Sequence, residues 1–104
     1  MNIVKLKDIK SESRAKGVNV VKVKSDFPTQ TVNILLEPTS ILPIHTTPVN
    51  VIFYVIEGRG IVQIGEEKIE VAAGSYIDSP ADIPHGWENP FNEKLSVLVI
   101  KLYS

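Results

Sequence analysis

Two histidines and no cysteine bound the chemistry open to this chain. His45 lies in "PIHTTPVNVIFYVIEGRG", between Pro43 and Pro48 and just ahead of a dense apolar run. His85 lies in "IPHGWEN", directly after Pro84 and two residues before Trp87, the only tryptophan. An imidazole can ligate a divalent metal, transfer a proton near neutral pH, or sit in a loop with its nitrogens hydrogen-bonded. The lack of cysteine removes disulfides, thiolate metal sites and cysteine nucleophiles. Glu37, Asp78, Asp82 and Glu88 lie near turns and are the carboxylates that could assist either ring. The "GRG" run at residues 58–60 is no phosphate loop, because no helix follows it.

The elements that must position these side chains read as strands. Blocks rich in Val and Ile are separated by Gly, Pro and Asn clusters such as "EPTSILP", "SPADIP" and "ENPFNE". The pattern predicts strands over Val18–Lys24, Thr31–Glu37, Val49–Glu57, Gly60–Ile64, Glu67–Val71, Ser75–Asp78 and Leu95–Tyr103. Seven prolines oppose helix, and only Leu6–Arg14 is read as a short helical turn. "VQIGEEKIEV" predicts a tight hairpin turning at Gly65 and Glu66. The expected fold class is all-β, a sandwich or barrel in one domain.

In "VNVIFYVIEG", Val51, Phe53 and Val55 share one face, and Ile52, Tyr54 and Ile56 share the other. A strand apolar on both faces lies between two layers or against another subunit. "LSVLVIKLY" is nearly as apolar, and two such strands in a small domain predict a homodimer. The net charge is −1 with mixed signs, so no footprint for nucleic acid exists. No segment is long and apolar enough for a membrane span or signal peptide, so a cytoplasmic protein is expected.

Two motifs in order give these elements a family likeness. "GSYIDSPADIPHGWEN" carries Gly74, Pro80, His85 and Asn89 in the spacing Gly, five residues, Pro-x-Gly, two residues, His, three residues, Asn, with Asp82 at the second glycine. Counting back six residues from Gly58 places Val51 where a first motif of the form His-x-His, three or four residues, Glu, six residues, Gly has its glutamate. Thr47 then falls at the second histidine and His45 at the first. Over roughly Thr31–Tyr103 the chain resembles the cupin superfamily in its small single-domain form.

The resemblance implies a double-stranded β-helix, or jelly-roll barrel, over residues 31–103, preceded by an N-terminal arm at 1–17 within one domain of 1–104. In the family, three histidines and the glutamate hold one divalent cation inside the barrel. The carry-over gives His45 and His85 as metal ligands, while threonine is a poor donor and valine none. The cofactor implied is therefore one divalent transition metal (Zn, Ni, Mn, Cu or Fe) held weakly, or none. Thr47, Val51 and Phe53 become pocket residues, with Phe53 and Val55 sharing the inward face of Val51. Trp87 is either a pocket wall or a cap at the barrel mouth or a dimer contact. Gly58, Gly74, Pro80 and Asn89 are motif residues that shape turns, Asn89 by side-chain to backbone hydrogen bonding.

Three functions are compatible with these residues. One is binding of a small-molecule ligand in the barrel. Another is a metal-dependent enzyme of dioxygenase, isomerase or lyase type with a reduced ligand set. The third is a metal-free, epimerase-like enzyme using His45 or His85 as a base, which needs a carboxylate partner that the sequence does not identify. The catalytic residues are unassigned.

Overall fold

The computed structural model describes residues 1–103, and position 104, the last of the expected domain, lies outside the described residues. After a single 3₁₀ turn at Leu6–Asp8, ten strands follow: β1 Glu12–Ala15, β2 Val18–Val23, β3 Thr29–Leu36, β4 Ser40–His45, β5 Val51–Glu57, β6 Arg59–Ile64, β7 Glu67–Ala72, β8 Tyr76–Ser79, β9 His85–Asn89 and β10 Leu95–Leu102. They form two antiparallel sheets, of order β1-β2-β3-β10-β5-β8 and β4-β9-β6-β7. From β3 to β6 each successive strand switches sheet, which wraps the chain into the expected jelly roll.

Strand alternation builds the core. Val51, Phe53 and Val55 of β5 and Leu95, Val97 and Val99 of β10 point between the sheets, with Val18, Val20, Val32, Ile34 and Leu36 beside them. The opposite face of β5 is covered less: Ile52 is half-buried, and Tyr54 and Ile56 are exposed. The predicted hairpin forms, with Val62 opposite Ile69 and Ile64 opposite Glu67. Gly65 takes φ +60 at the first of the two turn positions, the place a type II′ turn gives to glycine. Gly58 joins β5 to β6 at φ +81, and a Cβ there would collide with the Lys94 carbonyl oxygen.

Three strands lie where the sequence reads as turn or helix. The helical reading of Leu6–Arg14 is corrected to the one 3₁₀ turn followed by β1, whose pairing with β2 supplies the backbone bonds a helix would have supplied itself. β4 contains Pro43, which is tolerated because β4 is an edge strand. β9 is short and contains Gly86, and its pairing on both sides, with β4 and β6, makes it a strand. Among the described residues no helix is long and apolar enough to cross a membrane.

Candidate functional site

The pairing of β4 with β9 brings the two histidines together, His45 opposite His85. Residues 42 and 45 differ by an odd number, so a regular strand would face them oppositely. The register shifts between Leu42 and His45, and this bulge turns both side chains into the same cavity. The two imidazoles meet edge to face, with ring centroids 4.7 Å apart. Phe53 meets His85 in the same way at 5.1 Å.

Both nitrogens of His85 are occupied. Nδ1 lies 2.7 Å from the Ser79 hydroxyl, and Nε2 lies 3.3 Å from the Thr47 hydroxyl. A hydroxyl can donate or accept, so either tautomer of the neutral ring is satisfied. Loop contacts hold Thr47 in place. Its carbonyl accepts the Asp82 N–H at 2.8 Å, and the neighbouring Asn50 side chain accepts the Ala81 N–H at 2.8 Å. Asp82 adopts φ +65, which accounts for a glycine at that step of the motif. His45 differs from His85: its Nδ1 must donate to the Pro43 carbonyl, 3.0 Å away, because a carbonyl only accepts. The His45 Nε2 is then the ring nitrogen left to face a ligand.

Electrostatics keep His85 neutral. Burial removes water from its charged form, and His45 and Lys101 add repulsion, so its pKa is lowered to about 4.

The residues present do not fit a securely held divalent cation. Such an ion needs three or more donors. Thr47 and both His85 nitrogens are engaged with one another or with Ser79, and Val51 contributes only methyl groups. Among the described residues no three His, Asp or Glu side chains converge. The two histidines expected as ligands stand side by side, one with both ring nitrogens hydrogen-bonded and one with a single free nitrogen. Among the described residues the ring partners are the Pro43 carbonyl and the Thr47 and Ser79 hydroxyls, and no carboxylate orients either ring.

A cavity of about 290 Å³ opens beside the histidines. Its walls include Val20, Val32, Ile34, Val51, Phe53 and Val99, with His45, Thr47 and His85 as polar points. Trp87 does not line it. That side chain is 1% exposed and packs edge-on to Phe53 in the closed core, with its Nε1–H unpartnered. Asn89 is wholly buried and ties the β9–β10 turn to β3: its amide donates to the Leu36, Glu37 and Glu93 carbonyls and its oxygen accepts the Phe91 N–H. Pro80 opens the loop that closes on the Ile83 N–H, and Gly74, at φ +90, bonds back to the Val55 carbonyl.

Several residues of the site went unread in the sequence, four of them charged or bonded to His85. Ser79, Arg14, Lys22 and Lys101 reach His85 or the cavity. Two of them carried a signal. In Val18-x-Val20-x-Lys22 and in Leu95-x-Val97-x-Val99-x-Lys101, a lysine continues an inward-facing apolar series. Arg14 and Ser79 carried none, since their placement depends on strand pairing.

Comparison with known proteins agrees with this architecture. The family model described as a cupin domain matches residues 33–101. Over 47 residues the chain is 43% identical to the uncharacterized protein MJ1618 of Methanocaldococcus jannaschii, a match covering 45% of this chain and 38% of that protein. A predicted oxalate decarboxylase from Thermotoga maritima superposes with a TM-score of 0.88 at 20% identity, over 99% of this chain and all of that one. The polyketide cyclase RemF from Streptomyces resistomycificus gives 0.86 at 24% identity, over 97% of this chain and 78% of that one. At these identities the structural likeness establishes the fold alone.

Proposed function

The chain belongs to the cupin family, and from that premise we propose that it binds a small molecule inside its barrel without a securely held metal. The observation that carries this reading is the cavity beside His45 and His85, of about 290 Å³, with apolar walls and polar side chains grouped around them. That combination is typical of small-ligand sites, and the volume is near the lower end of their range. His45 Nε2 is the polar group available to a ligand, while His85, Ser79 and Thr47 form a closed hydrogen-bonded backing. The decarboxylase and the cyclase that share the fold differ in activity, so the ligand has to be read from this chain's own residues.

Ligand screening by thermal shift, followed by NMR mapping, tests the proposal. Binders should perturb His45, Thr47, Phe53 and Val99. A broad metabolite set with no binder, or perturbations confined to other surfaces, overturns it. Parallel incubation with Zn, Ni, Mn, Cu or Fe(II) should leave metal content substoichiometric. Stoichiometric uptake with a raised midpoint would instead support the metal-dependent enzyme.

We also propose that two copies pair through the outer face of the six-stranded sheet. The outward positions of its two central apolar strands, Ile52, Tyr54 and Ile56 on β5 and Leu98 and Ile100 on β10, carry no charge. Asp78 on β8 stands opposite Ile52 on the same face, so a second copy can cover these apolar positions with Asp78 left at the rim. Light scattering should give twice the monomer mass, and Tyr54→Lys should return the monomer. A wild-type monomer at micromolar concentration refutes the pairing.

A further inference from the structure

The charges around the cavity are of one sign. Arg14 on β1, Lys22 on β2 and Lys101 on β10 all line it, and no aspartate or glutamate does. The whole chain has a net charge of −1, so this concentration of cations is local. The sheet register explains how it arises. Lys22 and Lys101 each follow inward-facing valines, Val20 on β2 and Val99 on β10, and Lys101 lies directly opposite Gln30 on β3 and Val51 on β5. Gln30 also lines the cavity, which adds an uncharged amide to the same rim.

One carboxylate lies nearby. Glu12 stands 3.4 Å from Lys22, with both side chains well exposed, so the pair is strongly screened and only partly offsets that lysine. Arg14 and Lys101 have no carboxylate within 4 Å among the described residues. Lys101 is half-buried and its charge is felt as far as His85. Apolar walls beneath a cationic rim concentrate the field at the opening, because the low-dielectric barrel screens it less than water does.

We propose that the ligand of this cavity is a small organic anion, its acidic group held at the mouth by Arg14 and Lys101 and its apolar body lying against Val32, Val51, Phe53 and Val99. This inference rests on the small-molecule reading above and adds the ligand's chemical class. The guanidinium offers a planar pair of donors suited to a carboxylate or phosphate oxygen pair, and the ammonium adds a point charge. The same field disfavours a cationic ligand. The neutral His85 beneath adds no charge of its own, and His45 Nε2, with Nδ1 donating to the Pro43 carbonyl, can accept from a hydroxyl on the ligand.

Calorimetric titration with a matched panel tests the inference. Aliphatic and aromatic monocarboxylates, dicarboxylates and phosphate monoesters are each compared with the neutral amide or alcohol of the same skeleton. Acids should bind at least about tenfold more tightly than their neutral partners, with affinity falling as salt rises. The carboxylate and phosphate arms separate the two sources of the oxyanion. Arg14→Gln and Lys101→Gln should each weaken the acids about tenfold and leave the neutral compounds unchanged. Lys22→Gln should have a smaller effect, because Glu12 already engages that lysine. The unfolding midpoint of each variant verifies that it is folded, and two substitutions on different strands guard against one local failure. Neutral compounds binding as tightly as acids, or acids indifferent to both substitutions, overturn the anion assignment and leave the small-molecule reading standing. Absence of binding by acids and neutral compounds alike overturns both.

Discussion

Lowering the pH should destabilise this protein through one residue, His85. Its imidazole is 3% exposed, and its pKa falls from 6.5 to about 4 through burial first and repulsion from His45 and Lys101 second. The folded protein therefore resists a proton that the unfolded chain accepts near pH 6.5. Stability that is present above this value is lost as pH falls toward 4, and it is not regained below. At about 1.4 kcal/mol per pKa unit, the complete loss is about 3 kcal/mol, of which about 2 kcal/mol appears by pH 5. Urea denaturation from about pH 7.5 to about pH 5, on the wild type and on His85→Gln, isolates the effect, because groups common to both cancel in the difference. Most aspartates and glutamates titrate below this window. The wild type should lose about 2 kcal/mol more than the variant across it. Parallel stability curves for the two proteins, or a wild type that loses less, would refute the reasoning. An NMR titration placing the folded His85 pKa near 6.5 would refute it directly.

Three other outcomes follow from the same geometry. Thr47→Val leaves the buried Nε2 of His85 without a partner and should cost about 1–3 kcal/mol, read by denaturation at neutral pH. Asn89→Ala removes the four hydrogen bonds of a fully buried side chain and should cost at least about 3 kcal/mol, and a loss below about 1 kcal/mol would contradict that account. Asp82→Ala should cost about 1 kcal/mol at φ +65, whereas Asp82→Gly should be tolerated, and equal midpoints for the two variants would show that the backbone conformation is not what selects the residue.

Much of the barrel can be read from the sequence, and the reason is local. In β5 and β10 the period of two is expressed within seven or eight consecutive residues, so Val51, Phe53, Val55, Val97 and Val99 announce their direction. Gly65 announces the hairpin in the same way, because the turn needs its φ at that one position. β4 and β9 are not legible, since Pro43 and Gly86 are poor strand residues whose neighbours in space, not in sequence, supply the pairing. Lys22 and Lys101 could have been recognised, because each breaks an inward apolar series.

By itself the sequence determined an all-β cupin chain with two candidate histidines and an incomplete set of ligand positions. Spacing within each motif sufficed for that, because turn chemistry and strand parity are properties of adjacent residues. Only the tertiary structure decided where the histidines point and what they bond. The bulge after Leu42 aims His45 inward, and the loop contact between Asp82 and Thr47 holds the hydroxyl that occupies His85 Nε2. Sheet pairing then gathers Arg14, Lys22 and Lys101 from three strands around one opening. Each of these depends on register between segments far apart in the chain, which no local spacing encodes.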